Sequence, residues 1–242
     1  MRPFFPFYGG KWRAAKLYPP PAGLVVEPFA GSAGYSVYHD VPRVVLIERD
    51  EQIAAVWRYL IAASPAELAA LPDIRAGQSV NDLDVCQSAR WLIGFWINVA
   101  SARPRLTPSM WVRHALAGRA WPTGGSQLVW GARVRARLAE QVPRIRRWRL
   151  IEGDYTEAPD AVATWFVDPP YEGAAGDGYH HHDIDRAHLA RWSRARRGLR
   201  IVCEAVGACW LPFEALATVK ATAGRRRRGV SAEAVWTHGR AA

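Results

Sequence analysis

Leu24-Val25-Val26-Glu27-Pro28-Phe29-Ala30-Gly31-Ser32-Ala33-Gly34 joins a short, β-rich apolar run to a loop of small residues. Small residues after a strand let the backbone turn tightly and approach a ligand lying across the carboxyl end of a sheet. A short way on, Val44 to Ile47 repeats the β-rich pattern and ends in Glu48, with Asp50 beyond it. Further runs of this kind lie at Trp148 to Ile151, Thr164 to Val167, Arg200 to Cys203, Ala217 to Ala221 and Ala234 to Thr237, and helical patterns separate most of them. Seven such runs predict an α/β fold on one mostly parallel sheet. The last two leave no room for a helix between them, so they form an antiparallel hairpin at the end of that sheet.

Helical spacing is clearest at Ile53, Val56, Trp57 and Leu60, which share one face. Ser64-Pro65-Ala66-Glu67 is a capping box with proline at the first helical position, so a second helix opens there. Leu92, Phe95, Trp96 and Val99 mark a third, and Val134, Leu138 and Val142 a fourth whose other positions carry Arg133, Arg135 and Arg137. Between Ser101 and Gln127 the periodicity lapses at Pro104, Pro108, Gly118, Pro122, Gly124 and Gly125, which predicts a loop-rich stretch. The expected organisation is a split sheet domain, residues 1–60 and 146–242, with a small helical and loop-rich lobe, residues 61–145, inserted between its halves.

The chain has 242 residues, is 50% hydrophobic and carries 32 Lys and Arg against 22 Asp and Glu, a formal net charge of +10. That apolar content can fill a sizeable core, which excludes a chain disordered as a whole. No apolar run approaches the roughly 20 residues that cross a bilayer. Met1 to Lys11 has aromatics, prolines and glycines where a signal peptide has an apolar stretch. The expectation is a soluble, cytoplasmic protein with no membrane partner. Cys86, Cys203 and Cys209 form no C-x-x-C pair, which excludes a zinc ribbon and a disulfide scaffold. Much of the positive excess is arginine, interleaved with Trp91, Trp96, Trp111, Trp121, Trp130 and Trp148. Guanidinium forks beside aromatic faces suit phosphates and bases.

The sharpest chemical signal is Thr164-Trp165-Phe166-Val167-Asp168-Pro169-Pro170-Tyr171, at the end of the fourth run. Two successive prolines donate no backbone hydrogen bonds, and they hold their carbonyls in a fixed direction beside the Asp168 carboxylate. Such acceptors suit an exocyclic amino group, whose two N–H donors must be oriented before its lone pair can face an electrophile. Tyr171 supplies a ring for stacking. The loop after the first run fails the G-x-G-x-x-G pattern, which argues against a nicotinamide dinucleotide. Glu48, at the end of the second run, is placed to accept from ribose hydroxyls, whereas Asp50 fits a helix cap better. His180, His181 and His182 are consecutive, so their side chains do not easily converge on one ion, and no metal is expected. Arg225 to Arg228 suit phosphates from the hairpin turn, or simply a solvated turn.

Taken together, these motifs resemble the Dam-type DNA adenine N6-methyltransferases, with the cofactor motif preceding the catalytic one, and among them the short phage- and prophage-associated members. The resemblance rests on Phe7-Tyr8-Gly9-Gly10-Lys11, the Glu27 to Tyr35 loop, Glu48, Glu152-Gly153-Asp154-Tyr155, Asp168 to Tyr171, and Ile201-Val202-Cys203-Glu204. It implies a Rossmann-like methyltransferase sheet and an S-adenosyl-L-methionine pocket. Phe7, Tyr8, Gly9, Gly10 and Lys11 would lie by the cofactor's methionine part; Glu27, Pro28, Phe29, Ala30, Gly31 and Ser32 would wrap it; Glu48 would take the ribose. Asp154 and Tyr155 would lie near its adenine, with Asp168 between cofactor and target. Asp168, Pro169, Pro170 and Tyr171 would carry catalysis. Two departures stand out: Ala33 occupies the place of the second loop glycine, with Gly34 displaced by one, and Glu48 replaces the commoner Asp.

The resemblance thus implies a site-specific adenine methyltransferase, with or without a restriction partner, in a bacterial cell or a phage-infected host. Its partner would be double-stranded DNA. The helix pattern itself offers Arg133, Arg135 and Arg137 of the inserted lobe as its contacts, with a merely solvated face as the alternative. The enzyme is expected to act as a monomer, with a dimer left open. The same chemistry on RNA or on cytosine, and a DNA-binding protein that keeps the fold without catalysis, are the alternatives. A base inside a duplex is out of reach, so the target must flip out of the stack, which costs a few kcal/mol.

Overall fold

The strands are β1 (Val25–Glu27), β2 (Val44–Glu48), β3 (Arg149–Glu152), β4 (Val162–Val167), β5 (Arg197–Ala205), β6 (Glu214–Lys220) and β7 (Val230–His238). The computed structural model describes residues 1–98, 101–117, 129–173, 176–220 and 230–240. The strands form one seven-stranded sheet in the order β3-β2-β1-β4-β5-β7-β6. β1 to β5 run parallel to one another, and β7 lies antiparallel between β5 and β6. The result is the Rossmann-like α/β fold expected from the seven apolar runs, with its antiparallel terminal pair.

Strand order reverses at the β1/β4 junction. β2 and β3 extend the sheet to one side of β1, while β4 and β5 extend it to the other. Loops leaving the carboxyl ends of two strands at such a point diverge and open a crevice, the usual ligand position in open α/β sheets. Val26 pairs with Trp165, so the Glu27–Gly34 loop and the Asp168–Tyr171 loop leave from adjacent strands at that point.

Alternation along each strand builds two apolar faces. Val26, Val45, Ile47, Trp165, Val167 and Val202 face one way and pack against Leu189, Ala190 and Trp192 of α7 (Arg186–Ala195). Phe166 faces the other way and stacks on Tyr35 of α1 (Gly34–His39), with ring centroids 4.2 Å apart. Each buried aromatic of this kind removes on the order of 150–250 Å² from water, so the central strands are anchored on both sides.

The chain divides into two compact units. One contains residues 1–2, 10–50 and 148–242, and the other residues 3–9 and 51–147. The division departs from the expected boundaries at two places, because α2 (Glu51–Ala62) and the segment Pro3–Gly9 cluster with the second unit. The reason is aromatic packing: Phe4 and Phe5 contact Trp57 of α2, and Phe5 stacks on Phe95 of α4 (Gln87–Trp96). α3 (Pro65–Ala70) starts at the Ser64 capping box, and α6 (Ala132–Gln141) buries Val134 and Leu138.

Some expectations are corrected here, and others fall outside the described residues. The Ser101–Gln127 stretch contains a helix, α5 (Met110–Leu116), whose N-cap Ser109 accepts the Val112 N–H; the prolines at 104 and 108 precede it and do not interrupt it. Trp96 and Trp130 are core residues whose indole N–H groups donate to the Phe4 and Pro72 carbonyls, so they are spent on packing. Trp148, in the sheet unit, is likewise buried and donates to Val41. Val99, Trp121 and residues 118–128 lie outside the described residues, as does the Arg225 to Arg228 turn.

Candidate functional site

The chemical cluster forms around the β4 end. Lys11 Nζ lies 2.9 Å from Asp168 Oδ1 and 4.7 Å from the centroid of the Tyr171 ring. Lys11 is only 7% exposed and sits in a 3-10 turn, Lys11–Arg13, laid against the start of α1. Gly34 makes that approach possible, because a Cβ there would stand 2.5 Å from the Trp12 backbone nitrogen and 2.9 Å from that of Lys11. Burial works against the lysine's charge, but Asp168 first and Glu233 next more than offset it and raise its pKa.

Asp168 is held at about 6, above the usual carboxylate value; burial pushes it up and Lys11 pulls it back. At neutral pH it is therefore mainly an ionised acceptor. Pro169 and Pro170 are buried beside it. One lone pair of the Pro170 carbonyl is already taken by Arg186 Nη2. Of the two expected carbonyl acceptors, Pro169 is the one whose carbonyl Arg186 leaves alone.

The Glu27 to Gly34 loop is shaped by backbone rather than by side chains. Gly31 adopts φ 46° and Ala33 adopts φ 49°, both left-handed. Gly31 takes that conformation at little cost, whereas Ala33 bears the Cβ penalty that the missing second glycine would have avoided. The Ala30 N–H donates to the Ile47 carbonyl at 3.1 Å, tying the loop to β2. Glu48 reinforces the tie, accepting the Gly31 N–H at 2.9 Å and the Asp50 N–H at 2.9 Å. Burial raises the Glu48 pKa to about 7. Each carboxylate oxygen has a second acceptor direction, so Glu48 can still receive a hydroxyl.

Glu27 has a different place from the one expected. It is 2% exposed and accepts the Ser36 N–H at 2.9 Å, so it caps the first turn of α1 from inside; burial raises its pKa to about 8. Pro28, Ala30 and Ser32 are buried and Phe29 is half-buried. Phe29 packs on Tyr155, with centroids 5.4 Å apart, and the Tyr155 hydroxyl lies 2.6 Å from His188 Nδ1. Asp154 caps the turn after β3, accepting from the Thr156 N–H and hydroxyl. Gly10 precedes the Lys11 turn, whereas Phe7, Tyr8 and Gly9 belong to the second unit. There Phe7 packs on Phe5 and Phe95, and the Tyr8 N–H donates to Ser101.

Of the arginines expected at DNA, Arg133 is exposed. Arg135 pairs with Asp73, and Arg137 lies 5.1 Å from the Trp96 ring and donates to the Pro3 carbonyl. Those two hold the second unit together.

Two participants take roles that no motif announced: Glu204, which entered only as the last residue of the Ile201 to Glu204 motif, and Glu233, which carried no signal. Glu204, fully buried at the end of β5, accepts from the Glu172 and Ala205 N–H groups and the Trp210 indole, and Arg186 stands 3.6 Å from it. This network pins the residues after Tyr171 from below. Glu233 of β7 accepts the Tyr171 hydroxyl. Neither pairing could be read from spacing, since each joins residues far apart in the chain. Cys203 is buried in β5 beside the cluster, and all three cysteines are free.

The expectation that the consecutive histidines diverge is corrected. His180 and His181 stack at 4.3 Å, and with Asp50 they bring three ligand-type atoms within 4.8 Å of one another. The segment is irregular there, so neighbouring side chains need not alternate as in a strand. No helix among the described residues is long and apolar enough to cross a membrane. Compared with known protein families and with curated proteins, the chain matches none.

Proposed function

We propose that this protein is a DNA adenine N6-methyltransferase that uses S-adenosyl-L-methionine. One observation carries the reading: the Lys11–Asp168 pair and Tyr171 stand at the β1/β4 reversal, beside a left-handed glycine loop braced by Glu48. The residues suit the cofactor's chemistry. Gly31 brings no side chain of its own between the turn's backbone and a ligand, Glu48 keeps acceptor capacity for ribose hydroxyls, and Phe29 offers an apolar face. When bound, S-adenosyl-L-methionine supplies a methyl group on a sulfonium sulfur.

The chain's own groups do the rest. An aromatic amino nitrogen is a poor nucleophile because its lone pair is delocalised into the ring. Asp168 and the Pro169 carbonyl accept its two N–H bonds, favour a tetrahedral nitrogen and stabilise the positive charge that develops there. Lys11 orients Asp168 and favours its ionised form. Tyr171 stacks on the flipped base and offsets part of the flipping cost. No covalent enzyme intermediate is needed. The net charge of +10 suits a polyanionic partner.

The test is transfer of label from methyl-tritiated cofactor to PCR-amplified genomic DNA, with digestion to nucleosides. Label should appear in N6-methyladenine, and Asp168→Ala should abolish it while cofactor affinity by calorimetry stays within a few-fold. Absence of label with the wild-type protein, or appearance of it in cytosine, would sink the reading.

A further inference from the structure

Glu233 lies far along the chain from the catalytic loop, in the antiparallel strand β7. Antiparallel direction explains how it reaches the site. A parallel strand brings its last residues to the carboxyl edge of the sheet, whereas β7 brings its first ones. Glu233 is paired with Ala205, the last residue of β5, on one side. On the other it faces Ala217, beside a register shift in β6 that marks a bulge. Bulges re-aim side chains at sheet edges. Glu233 is 7% exposed, and its Oε2 accepts the Tyr171 hydroxyl at 2.5 Å.

We infer that Glu233 is a positioning residue for the target base, holding by its hydrogen bond to the hydroxyl the Tyr171 ring on which that base stacks. This rests on the methyltransferase reading of the site. Without Glu233 the ring keeps the Lys11 cation against it, 4.7 Å from its centroid, and its hydroxyl keeps Asp168 as a partner, but the tether from β7 is lost. A tyrosine pinned at its hydroxyl retains little rotational freedom, so the stacking surface is ready before the base arrives and less ordering cost is met on binding. The charge of Glu233 also helps hold Lys11 protonated, but the ring is what the tether fixes.

Glu233→Ala, Glu233→Gln, Tyr171→Phe and the double variant Tyr171→Phe/Glu233→Ala separate this role from a general structural one. Expected are a fall in turnover on the order of tenfold for Glu233→Ala, the size of one lost buried hydrogen bond, and at least as large a fall for Tyr171→Phe, which also loses the hydroxyl's bond to Asp168. The double variant should be no worse than the poorer single. Glu233→Gln, whose amide oxygen still accepts, should stay within a few-fold of wild type. Cofactor affinity should move little in all four. Unchanged turnover in Glu233→Ala, additive losses in the double variant, or a Gln variant as impaired as Ala would each overturn the inference. The same cycle run by urea unfolding needs no substrate, and absence of coupling there overturns the tether by itself. A wild-type protein that methylates no DNA while the unfolding cycle still shows coupling would instead remove the reading of the site. If Glu233→Ala does not fold, Glu233→Gln and Tyr171→Phe, which keep the buried volume, carry the comparison.

Discussion

Lys11 Nζ and Asp168 Oδ1 stand 2.9 Å apart, although 157 positions separate them in the chain (168 − 11). The lysine is buried and the carboxylate largely so, and burying either alone would be costly. Together they fix the geometry of the β4 loop and set the protonation of its acid.

The pH dependence of the proposed reaction follows from that acid. Asp168 must be ionised to accept two amino hydrogens, and it titrates at about 6. Initial rates at saturating substrates should therefore fall roughly tenfold per pH unit below that point and level off above it. A rate independent of pH between 5 and 7, in a protein that stays folded by circular dichroism, would contradict this role for Asp168.

Ala33 holds a left-handed backbone with φ 49° and ψ 44°. Glycine pays no Cβ penalty there but gains freedom in the unfolded chain, so Ala33→Gly should stabilise by roughly 0.5–1 kcal/mol. In a chain of this size that raises the unfolding temperature by roughly 1–4 °C in calorimetry. A lower unfolding temperature would mean that the methyl group's contacts outweigh the strain.

Glu27 reverses the usual acid-stability behaviour. Its pKa is about 8 in the folded protein against 4.5 for the free side chain, so between those values the folded state holds more protons than the unfolded one. Stability is then lost as pH rises through this window. Glu27→Gln keeps an acceptor for the Ser36 N–H and has nothing to ionise. Its unfolding temperature relative to wild type should climb from pH 5 to pH 8.5, and a constant difference would refute the assignment.

The arginines of α6 should separate into two kinds. Arg133→Ala should weaken binding to all DNA sequences alike and make the plot of log affinity against log salt shallower by roughly 0.9. Arg135→Ala and Arg137→Ala should lower the unfolding temperature, because they break the Asp73 pair and the Trp96 and Pro3 contacts, and should leave the salt slope unchanged. Equal effects of all three on the slope would restore a shared arginine face.

Local patterns determined which elements exist. Short apolar runs rich in Val, Ile and Leu and bounded by turn residues favour strands locally. Ser64-Pro65-Ala66-Glu67 starts a helix through its own hydrogen bonds, and Asp168-Pro169-Pro170-Tyr171 limits its backbone by proline geometry alone. Those interactions act over a few residues, so the sequence by itself carried them. Tertiary structure decided who meets whom. Short-range pattern did not show that Phe4 and Phe5 leave the sheet unit for Trp57, or that Arg135 and Arg137 turn to Asp73 and Trp96. Nor did it show that Glu27 serves α1 from within, that the adjacent His180 and His181 meet at Asp50, or that β7 delivers Glu233 to Tyr171. Each depends on strand order, strand direction and the packing of distant side chains. The sequence constrains these only through the whole fold.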